Sequence, residues 1–236
     1  PDVIRRFGDK AAAREVASAA GAPIAPGLPA PAGEADVAAF LKDLGPDGAV
    51  MLKAAAGGGG RGMQVLRAGD DISAAFARCA AEAEAAFGDG RLYAETFFPA
   101  ARHIEVQVAG DKSGGAIHVW ERECSLQRQR QKLIEIAPAP ALDVGVRRRL
   151  LDAAVAIARA AGLDNLSTVE FVVDGARAAD DAEADIAFIE TNARLQVEHT
   201  VTEAVTGIDL VELQIRLAEG ATLADLGLAE PPPVAG

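Results

Sequence analysis

The strongest constraint on this chain lies near its C-terminal end, in Phe188-Ile189-Glu190-Thr191-Asn192-Ala193-Arg194-Leu195-Gln196-Val197-Glu198-His199. The stretch grows out of an apolar run, Ile186-Ala187-Phe188-Ile189, of the length of a buried strand. In extended backbone, residues two apart share a face. Glu190, Asn192, Arg194, Gln196 and Glu198 therefore start on one side, with Thr191, Ala193, Leu195 and Val197 on the other. Two carboxylates, two carboxamides and a guanidinium on one face suit a hard, oxygen-loving cation held beside a small anion. A solvated strand of alternating charge would show the same string. Against that stands Glu170, in Ser167-Thr168-Val169-Glu170-Phe171-Val172, a second strand-borne carboxylate among β-branched neighbours. Carboxylates on apolar-backed strands are costly to bury unless a cation offsets them. The pattern predicts a Mg²⁺-nucleotide site.

Composition sets the bounds. With 236 residues, 50% of them hydrophobic, the chain can bury one large core or two modest ones and is not a disordered polymer. Its formal net charge of −12 argues against a nucleic-acid surface and against an anionic membrane, so a phosphate ligand needs a local basic pocket. Cys79 and Cys124 lie far apart without metal-ligand spacing, which predicts two buried thiols and a reducing, cytoplasmic setting. No signal peptide or membrane-length apolar run is visible. The opening without Met and the closing Pro231-Pro232-Pro233 suggest a piece of something longer.

From the N-terminus, Asp9 is placed to cap a helix through Ala20, with Lys10 in its first turn. A cation is poorly placed there against the helix dipole, and a bound anion would relieve it. Residues 22–33 read as a connection, and Glu34 to Leu44 as a short helix. The strand Ala49 to Ala54 carries Lys53 and leads into Gly57-Gly58-Gly59-Gly60-Arg61-Gly62, after which Met63 to Arg67 reads as another strand. A Walker A loop would need Lys and Ser/Thr after its last glycine, and a Rossmann turn would have to open a helix. What remains is a hairpin with a flexible glycine tip, able to close backbone N–H groups on phosphate oxygens. Asp70 to Phe87 is an amphipathic helix, and Arg91 to Glu95 a strand whose end, with Phe97 and Phe98, is either a hinge that holds a purine or ordinary core.

Arg102 to Val108 alternates cleanly, with His103, Glu105 and Gln107 on its polar face, and Ala116 to Ser125 is a second such strand. Gln127-Arg128-Gln129-Arg130-Gln131-Lys132 is a basic run in an acidic chain, followed at once by the apolar strand Leu133 to Ile136, so it lines something. Asp143 to Ala161 is a helix ended by Gly162, an acidic spacer 180–185 joins the Glu170 and Glu190 strands, and a last helix runs from Asp209 to Gly220.

Together these blocks resemble the ATP-grasp portion of biotin carboxylase, the unit shared by biotin-dependent carboxylases. The matching segments are Gly8-Asp9-Lys10, Lys53 with Gly57 to Gly62, Arg102 to Gln107, Glu121 to Arg128, Gln131-Lys132, Ala137-Pro138-Ala139-Pro140 and Glu190 to Glu203, in family order over nearly the whole chain. The resemblance implies an α+β, ATP-grasp fold in which two α+β subdomains sandwich the nucleotide, one of them a mobile glycine-rich lid. By that likeness residues 1–24 give a helix of the central region, 25–97 the lid and 98–236 the catalytic subdomain. The family's N-terminal and C-terminal subdomains, with an active-site arginine from the latter, are expected to be absent.

The resemblance also implies roles. Lys10, Lys53, Gly59 and Gly60 would contact phosphates, and Glu95, His103 and Gln127 would serve the rest of the nucleotide. Glu170, Glu190 and Asn192 would hold Mg²⁺ (or Mn²⁺). Lys132, Arg194, Gln196 and Val197 would bind bicarbonate, Glu198 would deprotonate it, and Arg194 would stabilise the biotin anion. The implied reaction is ATP-dependent carboxylation of carrier-bound biotin through carboxyphosphate. Its partners would be ATP, bicarbonate, a biotin carboxyl carrier domain and a carboxyltransferase domain or subunit. Departures from the family are Arg130 at a usual histidine position, Ala56 in place of one lid glycine, Thr96 for a lysine near the base, and a longer spacer at 180–185. Two alternatives stay open: a carbamoyl-phosphate synthase-like ligase that also phosphorylates bicarbonate, and a nucleotide-binding fragment without turnover.

Overall fold

The computed structural model describes residues 2–56, 62–129 and 131–234. Gly59, Gly60 and Arg130, singled out above, lie outside the described residues. The elements begin with α1 (Asp2–Gly8), α2 (Lys10–Ala19), β1 (Gly27–Leu28), α3 (Glu34–Asp43), β2 (Ala49–Ala54) and β3 (Met63–Arg67). There follow α4 (Ile72–Phe87), β4 (Leu92–Thr96), β5 (Ala101–Gly110), β6 (Ala116–Arg128) and β7 (Gln131–Ile136). The chain ends with α5 (Val144–Ala161), β8 (Asn165–Asp174), β9 (Ile186–Asn192), α6 (His199–Thr206) and α7 (Leu210–Ala218). They form two compact α+β units, one of Asp9–Ala11 with Ala25–Pro99, the other of Pro1–Gly8, Ala12–Ile24 and Ala100–Gly236.

The smaller unit is an antiparallel sheet in the order β1-β4-β2-β3. Val50, Leu52, Leu66, Leu92 and Ala94 turn one face into a core with Val37 and Leu41 of α3 and Ala75, Cys79 and Ala83 of α4. Helix α4 starts where Asp71 accepts a hydrogen bond from the backbone of Ala74 at 2.9 Å, and stops at Gly88 in the left-handed region. The β2–β3 pairing confirms the expected hairpin. At its return Gly62 has φ +62, and a Cβ there would meet the Ala54 methyl at 3.0 Å. The supposed connection 22–33 is not structureless, because it supplies β1 and an isolated bridge from Ile24 to Phe188.

The larger unit is built on an antiparallel sheet in the order β7-β6-β5-β8-β9. Alternation gives it two unlike faces. Ile104, Val106, Val108, Val169, Phe171 and Val173 pack under α5 through Val146, Leu150 and Ile157. Phe171 and Phe188 meet edge to face at 6.2 Å between centroids. The opposite face is polar through its middle and becomes apolar only at one end, where Ala109, Ile117 and Leu166 receive Leu210, Leu213 and Leu217 of α7. Two helices escape the sequence patterns. Helix α1 buries only Phe7. Helix α6 has five β-branched residues in eight, which disfavours helix, and is held instead by buried Thr202 and by Glu203 accepting from the Leu210 backbone at 2.7 Å.

Phe171 is fully buried between the sheet and α5. Phe171→Ala should lower unfolding free energy by about 3–5 kcal/mol, read as the denaturant midpoint at unchanged slope; a loss below half of that would mean this face is not the core of the unit.

Candidate active site

The polar face owes its arrangement to strand register. Glu190 pairs with Glu170, Glu170 with Glu105, and Glu105 with Arg122, so three carboxylates and a guanidinium stand in one row across β9, β8, β5 and β6. Neighbouring strands are ~4.8 Å apart, close enough for each charge to feel the next. Arg122 is fully buried. Its Nε donates to Glu105 Oε1 at 2.5 Å, Nη1 to Gln107 Oε1 at 3.0 Å and Thr202 Oγ1 at 2.9 Å, and Nη2 to Thr168 Oγ1 at 3.3 Å. One side chain thereby ties β6 to β5, β8 and α6.

The second cation is Lys132, from the end of the β6–β7 hairpin. Its ammonium donates to Glu105 Oε2, donates to Glu198 Oε1 at 2.5 Å, and lies 3.6 Å from Glu170 Oε1. Burial opposes its charge, but Glu105 and Glu170 hold its pKa above the ordinary lysine value. Burial likewise opposes ionisation of Glu198, and the Lys132 hydrogen bond reverses this and lowers its pKa. Glu198 also occupies the N-cap position of α6, where a negative charge is favoured.

Glu170 is the most connected carboxylate. Its Oε2 meets His103 Nε2 at 2.8 Å, and its Oε1 accepts from Asn192 Nδ2 at 2.7 Å and Gln196 Nε2 at 3.1 Å. Burial pushes its pKa up, yet the His103 hydrogen bond and the charge on Lys132 bring it down to about 2. Gln127 Nε2 donates both to the Cys124 carbonyl and to His103 Nδ1, each at 2.8 Å, which leaves the ring proton on Nε2 facing Glu170. With Nε2 of Gln196 directed at Glu170, its Oε1 is buried and makes no hydrogen bond among the described residues.

Of the residues singled out from the sequence, the structure brings together His103, Gln127, Lys132, Glu170, Asn192, Gln196 and Glu198, with Glu190 beside them. The polar face does not continue as a strand through Glu198. The sheet ends at Asn192, and residues 193–198 turn into α6. Two side chains consequently point away: Val197 is 90% exposed, and Arg194 is exposed with its Nη1 on the Leu195 carbonyl at 3.3 Å. Lys10, Lys53 and Glu95 belong to the other unit, where Lys53 is buried, donates to Glu95 and lies 5.9 Å from the Tyr93 ring centroid.

Residues 9–226 match the family described as carbamoyl-phosphate synthase L chain, ATP binding domain. The chain belongs to this family. This ATP-binding domain is 51% identical over 231 residues to pyruvate carboxylase 1 of Caenorhabditis elegans, covering 98% of the chain and 19% of that protein. Among solved structures it is similar to a biotin carboxylase–β-γ-ATP complex from Campylobacter jejuni, with TM-score 0.84, 46% identity, and coverage of 94% of this chain and 48% of that one. The biotin carboxylase domain of Hydrogenobacter thermophilus 2-oxoglutarate carboxylase, in complex with MgADP, ADP and bicarbonate, gives TM-score 0.81 and 40% identity, covering 94% and 47%. The domain thus spans about one fifth of that curated relative and about half of those solved chains. Its two antiparallel sheets with helices form the ATP-grasp, α+β fold of those structures.

The donor chemistry of the domain fits a hard divalent cation. Four carboxylates (Glu105, Glu170, Glu190, Glu198) against two cations (Arg122, Lys132) leave a formal surplus of two negative charges in the cluster. Among the described residues Glu190 has only a weak partner, Asn192 Nδ2 at 3.5 Å, so its oxygens are available. Asn192 would offer its carbonyl oxygen once the amide turns, since its nitrogen now faces Glu170. The residues the sequence did not single out are Arg122, Glu105 and Thr202. The alternation of His103, Glu105 and Gln107 carried a signal for Glu105; nothing in one sequence said which residue of β6 would face it.

Removing one partner of a fully buried ion pair strands the other. Arg122→Met should cost about 3–5 kcal/mol, and Arg122→Met with Glu105→Gln should be less destabilised than Arg122→Met alone; chemical denaturation of the three chains decides it. The low pKa of Glu170 adds a pH prediction. Because the folded value lies below the ordinary 4.5, its contribution is complete above that pH and is lost as pH falls toward about 2. The stability gap between the native chain and Glu170→Gln should therefore narrow on acidification through that window, and a constant gap would refute the assignment.

Proposed function

We propose that this domain catalyses the first half-reaction of a biotin-dependent carboxylase: ATP and bicarbonate react to carboxyphosphate, whose CO₂ is passed to biotin on a carrier protein. The observation that carries the proposal is the set Lys132, Glu198 and Gln196 converging beside Glu170, an ammonium, an ionised carboxylate and a buried acceptor without a partner. That set suits bicarbonate, with its anionic oxygens toward Lys132 and its hydroxyl toward Glu198 and Gln196. The MgADP and bicarbonate named with the Hydrogenobacter structure support it.

Bicarbonate attacks phosphorus well only as its proton leaves. Glu198, kept ionised by Lys132, accepts that proton while Lys132 holds the anion in place. The bond from the γ-phosphorus to ADP breaks as the new P–O bond forms. Carboxyphosphate then yields CO₂ and phosphate, phosphate takes the ureido N–H proton, and the nitrogen attacks CO₂. Arg194, exposed at the start of the turn, is free to reach the biotin anion. Mg²⁺ (or Mn²⁺), when bound by Glu170, Glu190 and Asn192, would offset charge on the phosphate oxygens. His103 and Gln127 would face the nucleotide, with Val197 completing the bicarbonate turn.

Residues 25–97 act as the lid in this reading, with Lys10, Lys53, Gly59 and Gly60 serving phosphates and Glu95 the base. Residues 1–24 and 98–236 form the catalytic part. The carrier and a carboxyltransferase domain or subunit are its partners. The thiols of Cys79 and Cys124, neither of them in a disulfide, support a reducing compartment, the cytoplasm in this reading. No helix among the described residues is long and apolar enough to cross a membrane.

The deciding assay is ADP release from Mg-ATP and bicarbonate, with and without free biotin, using the longest chain that carries this domain. Biotin should stimulate release, and Glu198→Gln should lower it by about 10²–10⁴-fold. Bicarbonate-dependent release indifferent to biotin would favour a carbamoyl-phosphate synthase-like ligase. Turnover unchanged in Glu198→Gln would remove the base assignment.

A further inference from the structure

Directly behind Lys132 lies a second set of ligand atoms. Cys124 is fully buried, its thiol makes no hydrogen bond among the described residues, and its register places it on the same sheet face as Glu105. Cys124 Sγ and one carboxylate oxygen each from Glu105 and Glu198 lie within 4.8 Å of one another. The ammonium of Lys132 is bonded to both of those carboxylates.

The geometry points to an exchange site in which one thiophilic divalent cation, of the Zn²⁺ or Cd²⁺ class, replaces the Lys132 ammonium on Cys124, Glu105 and Glu198. A hard cation such as Mg²⁺ has no use for the sulfur, so this site differs from the all-oxygen pair Glu170 and Glu190. The step balances. The S–H bond of Cys124 breaks and an S–metal bond forms, with the proton released to solvent and the ammonium moved aside. Before exchange the group carries two carboxylates and one ammonium, net −1; afterwards it carries a dication, a thiolate and two carboxylates, again net −1. Zn–S and Zn–O bonds of about 2.3 and 2.0–2.2 Å require the three ligands to draw together slightly, which departure of the ammonium permits. Burial pushes the thiol pKa up, with the Glu105 charge adding to it, so Cys124 is not a free nucleophile and the metal itself has to displace the proton.

Binding can be read without ATP, bicarbonate or biotin, so the test stands apart from the proposed reaction. Cd²⁺ is titrated into the chain in a thiol-free buffer, following the ultraviolet sulfur-to-cadmium charge-transfer band and the thermal midpoint. One equivalent should bind, in Cys79→Ala as in the native chain, and the band should vanish in Cys124→Ser. Glu105→Gln should weaken binding at least about tenfold. Lys132→Ala, which removes the competing cation, should tighten it at least about tenfold. A band that survives in Cys124→Ser, weaker binding in Lys132→Ala, or displacement of Cd²⁺ by excess Mg²⁺ would each overturn the site.

Discussion

The buried pair of Arg122 and Glu105 is the interaction on which the larger unit's polar face depends. A guanidinium without access to water is tolerable only when its donors are taken, and here Glu105, Gln107, Thr168 and Thr202 take them. Those partners lie on three elements, so the pair fixes the seating of α6 against the sheet. Glu198 begins that helix and points its carboxylate at Lys132, which in turn rests on the other oxygen of Glu105. The position of the proposed base is therefore set by a fully buried residue, Arg122.

Much of this was legible in the sequence, and the reasons are specific. The β2–β3 hairpin, α4 and α5 follow from periodicity and from caps, Asp71 with Gly88 and Asp143 with Gly162. Glu170 and Glu190 were recognisable because a carboxylate inside a β-branched run needs a reason to be there. Arg122 was not, since its meaning comes from the register β5 to β6, and that register shifts between Val106 and Val108 around Trp120, a residue in the left-handed region. The end of the polar face was misread for a related reason. Alternation continues through Glu198, but nothing in it reveals that pairing with β8 stops at Asn192.

In the smaller unit, Lys53 and Glu95 were assigned separate duties from the sequence, yet the structure joins them across β2 and β4. The two readings are compatible. A buried lysine needs an anion, and a carboxylate on the adjacent strand supplies one. A phosphate that approaches Lys53 competes with Glu95 for the same ammonium, which would free Glu95 to accept from an amino group on the base. In the proposed function the pairing would act as a placeholder, exchanged when a nucleotide binds.

The choice of cation at each position follows from the number and spread of its partners. Arg122 has five N–H donors in a planar fork and four partners lying around that plane, so a lysine could not replace it. Lys132 has the opposite task. Glu105, Glu198 and Glu170 converge on a single point, where three rotatable donors on one nitrogen serve them and a guanidinium would be too broad. A point charge held by three carboxylates can also move away and be replaced by another point charge. The proposed anion binding and cation exchange would both require that, whereas the fork of Arg122 is locked by its geometry. The fixed cation organises the face, and the movable one leaves it able to react.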